Sequence, residues 1–257
     1  MRLVSLNLWG GKLFEPLMQS IRERKSSTDI FCFQEVFFGD RPGQSVLGAR
    51  ANLSAELAGE LEDFTMYKRM APEGARFSFE VPERGIGLGL AMFVRNGIEI
   101  SDSGGFSTWP MEADNDPLLK LTGNLMYLSF EKSGAKYSIA NIHGIWQPEG
   151  KDDTPERLHQ SEVIKSFLSN RGGKKIICGD FNLRPYARSI SVIGDGMINL
   201  ISEYGIALTR SRYYADMERF NDPIADYMFV SPDVNVSRFK VSSEEVSDHL
   251  PLTLDFD

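Results

Sequence analysis

Short apolar runs that end on a polar residue recur along this chain. Leu3, Val4 and Leu6 lie between Arg2 and Asn7, an alternation that predicts a strand over 2–7 closing on Asn7. Trp9-Gly10-Gly11 predicts a turn. Leu13, Leu17 and Ile21 fall at helical spacing, and Arg22, Arg24 and Lys25 suit the C-terminal dipole of a helix over 13–24. Ile30-Phe31-Cys32-Phe33 predicts a second buried strand, which also ends on polar groups, Gln34 and Glu35. Phe37 to Ser45 reads as loop, and Leu53, Leu57 and Leu61 place a helix over 49–61. Short strand-like runs follow at 64–67, 88–95, 98–100, 124–130 and 136–143, interrupted by an apolar-poor insertion from Thr108 to Lys120. Thr154 as N-cap and Pro155 at the first helical position predict a helix to Leu168. Lys174 to Cys178 predicts a buried strand. Helical turns follow between Arg188 and Gly205, with strands at 226–230 and 250–256. Strands outnumber helices, yet both halves carry each. The pattern therefore predicts an α/β fold of two packed sheets with helices outside.

No linker, low-complexity tract or internal repeat divides the 257 residues, and the polar strand ends span Asn7 to His249. If these ends converge, residues 1–257 form one domain. The apolar N-terminal stretch is too short for a signal peptide, and no run approaches the roughly 20 residues of a membrane span. The expectation is a cytoplasmic protein without a membrane partner. Cys32 and Cys178, both inside predicted strands, read as small buried apolar residues in a reduced compartment. The formal net charge of −8 argues against bulk binding of a long polyanion and favours a small or specifically held substrate.

Gly179-Asp180-Phe181-Asn182 is the most informative segment, with a carboxylate and an amide two residues apart after a buried strand. Asn7, Glu35, His143, Asp226, Asp248 and His249 complete a set of polar residues at strand ends. Such groups gather only where something offsets their desolvation. Carboxylates and amides without thiolate suit Mg²⁺ or Mn²⁺ rather than zinc. Singly, each has a plainer explanation: Asn7 as a turn cap, Glu35 paired with an arginine, His143 as a core histidine, Asp248-His249 as a turn before Pro251. Of the three histidines, His159 falls inside a predicted helix and reads as solvated or half-packed.

In this order, the early Asn, Gln-Glu-Val, Asn-x-His, Gly-Asp-Phe-Asn, an Asp-Tyr strand and Ser-Asp-His resemble the endonuclease/exonuclease/phosphatase superfamily, in its deoxyribonuclease I-like and exonuclease III-like forms. The resemblance implies a four-layer α/β/β/α sandwich with its site at one edge of the sheets. It implies Asn7, Glu35 and Asp248 as Mg²⁺ ligands or neighbours. It also implies Asp180 and Asn182 as the pair that positions water and phosphoryl group, His249 as catalytic histidine oriented by Asp226, and His143 as a phosphoryl donor. The implied activity is metal-dependent hydrolysis of a phosphate ester, either a diester as in a nuclease or a small-molecule monoester. A binding module that keeps the fold without catalysis is the alternative. Two features depart from the pattern: Ile142 stands where members carry Thr, and Ser5 precedes Leu6-Asn7. The acidic partner of the second histidine has two candidates, Glu80 and Glu83.

Thr209 to Tyr214 and Met217 to Phe220 mix cations with aromatics before Asp226. Arg210, Arg212 and Tyr213 are therefore candidates to clamp phosphate or stack on a base, as is Arg184. The competing reading is a solvated loop whose arginines pair with Asp216 and Glu218. The substrate is a phosphate ester, with nucleic acid one candidate.

Overall fold

The predicted runs become strands in a computed structural model that describes residues 1–41, 43–71, 86–109, 122–214 and 222–257. One six-stranded sheet has the order β13 (Val236–Val241), β14 (Leu252–Phe256), β1 (Arg2–Asn7), β2 (Ile30–Phe38), β6 (Gly87–Arg95), β5 (Phe64–Met70). The other six-stranded sheet has the order β11 (Ile198–Asn199), β12 (Asp226–Val230), β10 (Lys174–Asp180), β9 (Ala135–His143), β8 (Asn124–Lys132), β7 (Ile100–Ser107). A small hairpin joins β3 (Ser45–Val46) to β4 (Ala49–Arg50). Each large sheet has a single parallel pair near its middle, β1 with β2 and β9 with β10, and its other pairs are antiparallel.

That arrangement explains why the sheets are stacked. Leu3, Ile30, Cys32, Leu90 and Met92 of the first sheet share one apolar cluster with Leu128, Ile139 and Cys178 of the second. The outer face of the first sheet buries Val4, Leu6, Phe31 and Phe33 against α1 (Phe14–Lys25) and α2 (Leu53–Glu60). Leu17 and Ile21 of α1, and Leu53 and Leu57 of α2, supply the apolar stripe. On the second sheet the stripe comes from Ile164 and Leu168 of α3 (Pro155–Ser169), Ile190 and Ile193 of α4 (Arg188–Ile193), and α5 (Leu200–Glu203). Two mixed sheets with outer helices form the α/β sandwich. Thr154 caps α3 as expected, its hydroxyl accepting from the Arg157 amide at 3.3 Å with Pro155 in the first turn. Cys32 and Cys178 are buried and free. No described helix is long and apolar enough to cross a membrane.

Four expectations need correction, and one strand was not foreseen. The run expected at 98–100 is strand only from Ile100 onward, where β7 begins. Strand β2 continues past Phe33 to Phe38, so Phe37 is not in a loop. Residues Ala49 and Arg50 belong to the small hairpin, and the helix starts at Leu53. Gly179 sits inside β10 rather than beyond it. Val236–Val241 forms an edge strand that the pattern did not reveal, because its register shifts between Val236 and Arg238 and breaks the alternation. The insertion beyond Trp109, Glu80 and Glu83, and Met217 to Phe220 lie outside the described residues.

Candidate active site

Topology brings the polar strand ends together. Parallel neighbours end at the same edge, so β1 and β2 deliver Asn7 and Gln34 in register, and β9 and β10 deliver His143 and Asp180. An antiparallel neighbour starts where its partner ends. Asp226 therefore opens β12 opposite Asp180, and Ser247 to His249 arrive just before β14, whose Leu252 lies beside Ser5. An isolated bridge between Arg210 and His249 adds the loop before β12.

Glu35 reaches the site through a bulge. The register of β2 against β6 shifts between Phe33 and Val36, and Glu35 takes a φ of +55°. Regular alternation would send Gln34 and Glu35 to opposite faces. Instead Gln34 points between the sheets, donating to Asn141 Oδ1 at 2.6 Å, while Asn141 donates to the Phe33 carbonyl at 3.0 Å. Glu35 turns to the edge, where Asn7 Nδ2 donates to its Oε1 at 3.1 Å and to Asp180 Oδ2 at 3.2 Å. Asn7 Oδ1 accepts from the Trp9 amide at 3.0 Å, so the turn-cap and site readings of Asn7 are both satisfied.

Asp180 is the hub. Its Oδ2 lies 3.5 Å from His249 Nε2, 3.9 Å from His143 Nε2 and 4.0 Å from Arg210 Nη2. Its Oδ1 accepts from the Asn182 amide at 2.9 Å, which helps hold Asn182 at a φ of +53°. The Asn182 side chain donates to the Gly144 carbonyl at 3.1 Å and accepts from Lys151 Nζ at 3.3 Å. His249 Nδ1 lies 2.8 Å from Asp226 Oδ1. Asp226 Oδ2 also accepts from Thr209 Oγ1 at 2.8 Å. The carboxylate therefore fixes the tautomer with hydrogen on Nδ1, leaving Nε2 facing Asp180 and, at 2.5 Å, Arg210 Nη1. Asp248 lies 3.6 Å from Arg210 Nη1 and 3.8 Å from His249 Nε2.

These neighbours set the charges. Burial pushes the Asp180 carboxyl upward, but His249, Arg210, Lys151 and His143 together hold it well below the usual carboxylate range. Burial pushes His143 down to about 4, so its ring is neutral at pH 7. Burial and Arg210 oppose charge on His249, and Asp226, Asp248 and Asp180 more than offset them, raising it. Burial, then the nearby Asp248, raise Glu35 to about 7. Carboxylate oxygens gathered at one buried edge can hold a cation, and they suit Mg²⁺ or Mn²⁺. Asp180, Asp226 and His249 offer ligand atoms within 4.8 Å of one another. Both nitrogens of His249 are already engaged, however, by Asp226 and Arg210.

All the strand-end candidates thus converge, and Arg210 joins them, 3% exposed. The other three cations and aromatics behave differently. Arg184 is clasped by Asp222 at 2.5 Å and Asp152 at 2.6 Å. The Arg212 side chain is 71% exposed and pairs with Glu245 at 3.0 Å, with Tyr213 Oη 3.3 Å from its guanidinium. His159 is exposed and meets the edge of Trp109 at 6.2 Å. Sequence reasoning missed Lys151, and it took in Thr209 and Tyr214 only as the bounds of the cation–aromatic segment. A lysine in Glu149-Gly150-Lys151-Asp152-Asp153 carries every sign of a solvated residue, yet it is only 3% exposed.

Comparison with known proteins places this geometry. The sequence profile described as the Endonuclease/Exonuclease/phosphatase family matches residues 4–249. A protein of that family from Leptotrichia buccalis C-1013-b superposes with a TM-score of 0.72 at 15% identity, covering 100% of this chain and 99% of its own. A D. rerio TDP2 humanized by 14 mutations gives 0.69 at 15% identity, covering 100% and 98%. A mannosyl-6-phosphatase from Bacteroides thetaiotaomicron VPI-5482 gives 0.67 at 17% identity, covering 100% and 99%. No curated protein matches the chain.

Proposed function

The chain belongs to the endonuclease/exonuclease/phosphatase family, and from that premise we propose a divalent-metal-dependent phosphoesterase that hydrolyses its substrate by attack of water on phosphorus. One observation carries the reading: Asp226, His249, Asp180, Asn182, His143 and Asn7 are all at most 3% exposed at one sheet edge, joined by hydrogen bonds and close polar contacts. No apolar core needs such a set, and polar groups fixed in place like this can stabilise charge that develops in a transition state. Asp180 and Asn182 position the attacking water and the phosphoryl group. His249, oriented by Asp226, moves the proton or donates to a non-bridging oxygen. His143, neutral at pH 7, donates to another. Glu35 and Asp248, with Asn7, would hold Mg²⁺ or Mn²⁺, which neutralises charge developing on phosphoryl oxygens when bound. The whole of residues 1–257 would act as one catalytic domain, in the cytoplasm.

The neighbours' names span an enzyme of sugar phosphates and TDP2, so the testing panel must include both kinds of ester. Metal-dependent turnover is assayed on single-stranded, duplex and abasic DNA, RNA, a 5′-tyrosyl DNA and soluble phosphomonoesters. Chelation is expected to abolish it. Turnover unaffected by a chelator would overturn the reading.

Glu35 gives a sharper check. Its carboxyl must lose a proton to bind a cation, so below about 7 the affinity for Mn²⁺ should fall by up to tenfold per pH unit. Calorimetric titration between pH 6 and 8 should show that slope in the wild type and a weaker, flatter dependence in Glu35→Gln. Equal slopes in both proteins would remove Glu35 from the ligand set. Arg212 and Tyr213 can touch only the parts of a substrate that reach beyond the buried cluster. Arg212→Ala should raise KM by about fivefold at most and leave kcat nearly unchanged, exposed ionic contacts being worth up to about 1 kcal/mol. A KM within error of the wild type would make Arg212 a solvated loop residue.

A further inference from the structure

Lys151 is a buried cation beside the cluster to which the hydrolysis described above assigns no role. Its ammonium lies in the loop before α3, where its hydrogen bond goes to Asn182 Oδ1 at 3.3 Å. Among the described residues it pairs with no carboxylate within 4.0 Å. An ammonium has three donors, so most of its capacity is unspent. Arg210 stands beside it, its Nη atoms spent on His249 at 2.5 Å, Asp248 at 3.6 Å and Asp180 at 4.0 Å. Its Nε is buried and has no acceptor among the described residues. Tyr214 links the two: the Arg210 guanidinium lies 4.1 Å from the ring centroid and Lys151 Nζ lies 5.3 Å from it.

Two like charges held this close repel each other, and burial removes the water that would screen them. Burial and then Arg210 push the Lys151 ammonium down to about 7. Nothing in the fold requires this arrangement, because Arg157 shows how the same protein satisfies a buried cation. Its guanidinium donates to the carbonyls of Ile145, Gly150 and Asp152. The pair at Lys151 and Arg210 is instead left facing Asn182 and Asp180, where the phosphoryl group sits in the reading above.

We propose that Lys151 and Arg210, sharing the ring of Tyr214, bind the dianionic phosphoryl group of a small phosphomonoester. This makes the chain a phosphomonoesterase rather than a nuclease, and it rests on the phosphoesterase reading. A terminal phosphate offers three non-bridging oxygens and about two negative charges near neutral pH. An internal diester offers two oxygens and one charge. The donors left on the Lys151 ammonium and on Arg210 Nε discriminate for the extra oxygen, and the charge of Lys151, which has no carboxylate partner among the described residues, for the extra charge. The net charge of −8 points the same way, away from long polyanions.

The test compares kcat/KM for an aryl phosphomonoester and its methyl diester, with Mg²⁺, in wild type, Lys151→Met and Lys151→Arg. A parallel arm follows thermal unfolding with inorganic phosphate and a chelator. The wild type should prefer the monoester. Lys151→Met should lower monoester kcat/KM about 30-fold or more and shrink the monoester-to-diester ratio about tenfold, with Lys151→Arg restoring part of both. Phosphate should raise the Tm of the wild type and of Lys151→Arg, and not that of Lys151→Met. Removing a buried ammonium should leave the Tm of Lys151→Met without phosphate unchanged or higher. A wild-type preference for the diester, an unchanged ratio in Lys151→Met, or equal phosphate stabilisation of all three proteins would overturn the proposal. Phosphate binding that depends on Lys151, without hydrolysis of any ester, would retain the anion site and remove the phosphoesterase reading.

Discussion

Asp180→Asn is expected to lower turnover about a thousandfold or more while the protein stays folded. The side chain faces both histidines, Arg210 and Asn7 through a single oxygen, Oδ2. An amide keeps the volume and the acceptor for the Asn182 amide. It loses the charge that orients water and balances Arg210 and Lys151. Loss of a positioned acid–base or orienting group costs about 10²–10⁴ in rate, and Asp180 serves several partners at once. The stability effect has a definite sign. The carboxyl is held below its ordinary value, so its ionised form stabilises the fold above the usual carboxylate range, and that contribution disappears as pH falls through the folded value. The asparagine variant forgoes it and should melt somewhat lower at pH 7, with an unchanged far-UV spectrum. A single-turnover rate in Asp180→Asn within tenfold of wild type would pass the water-positioning role to another residue.

The fold was legible because its core strands are nearly continuous apolar runs. Phe31, Phe33 and Ile177 are buried whichever face they take, so no register error could hide them. Edge strands were less visible. In β7 (Ile100–Ser107) Gly104 and Gly105 dilute the pattern, and in β13 Arg238 and Lys240 break it. Exposed, charged or glycine-rich edges discourage pairing with other chains, which removes the alternation that pattern reading needs. The extension of β2 was missed for a related reason. Its bulge turns Glu35 toward the site, and a bulge is set by cross-strand register rather than by local composition.

The site divides in the same way. Asn7, Asp180, Asp226, His143 and His249 announce themselves because a polar residue at the end of an apolar strand is locally anomalous. Arg210 was visible only as part of a cation–aromatic mixture in which Arg212 looked equally good. The structure separates them: Arg210 is bridged to His249 and buried, whereas Arg212 faces Glu245 in solvent. Lys151, which donates to Asn182, carries no local signal, and Thr209, which donates to Asp226, lies in the cation–aromatic segment without any mark of that role. Their roles come from loops folded over the sheet edge, an arrangement that only long-range contacts define.

The second large effect concerns the backbone that holds His143 beside Asp180. Gly179 pairs with Ile142 in the parallel register of β9 and β10, at a φ of +138°. A Cβ at this position would lie 2.0 Å from the Ile142 carbonyl oxygen. Neither neighbour can yield, because both are mid-sheet backbone. Gly179→Ala is therefore expected to destabilise through a disfavoured backbone conformation and through overpacking, each worth about 1–3 kcal/mol. A sum of about 3 kcal/mol corresponds to a Tm fall of about 6–12 °C for a chain of this size. The strands can relieve the clash only by moving apart, which separates His143 from Asp180, so turnover should fall even at temperatures where the variant stays folded. Gly172→Ala is the matched control, since a Cβ there meets nothing within 4 Å; its Tm should stay at or slightly above that of the wild type. Calorimetry on both variants decides the matter. A Gly179→Ala protein that melts within 2 °C of wild type would mean that β9 and β10 do not approach as closely as the site requires.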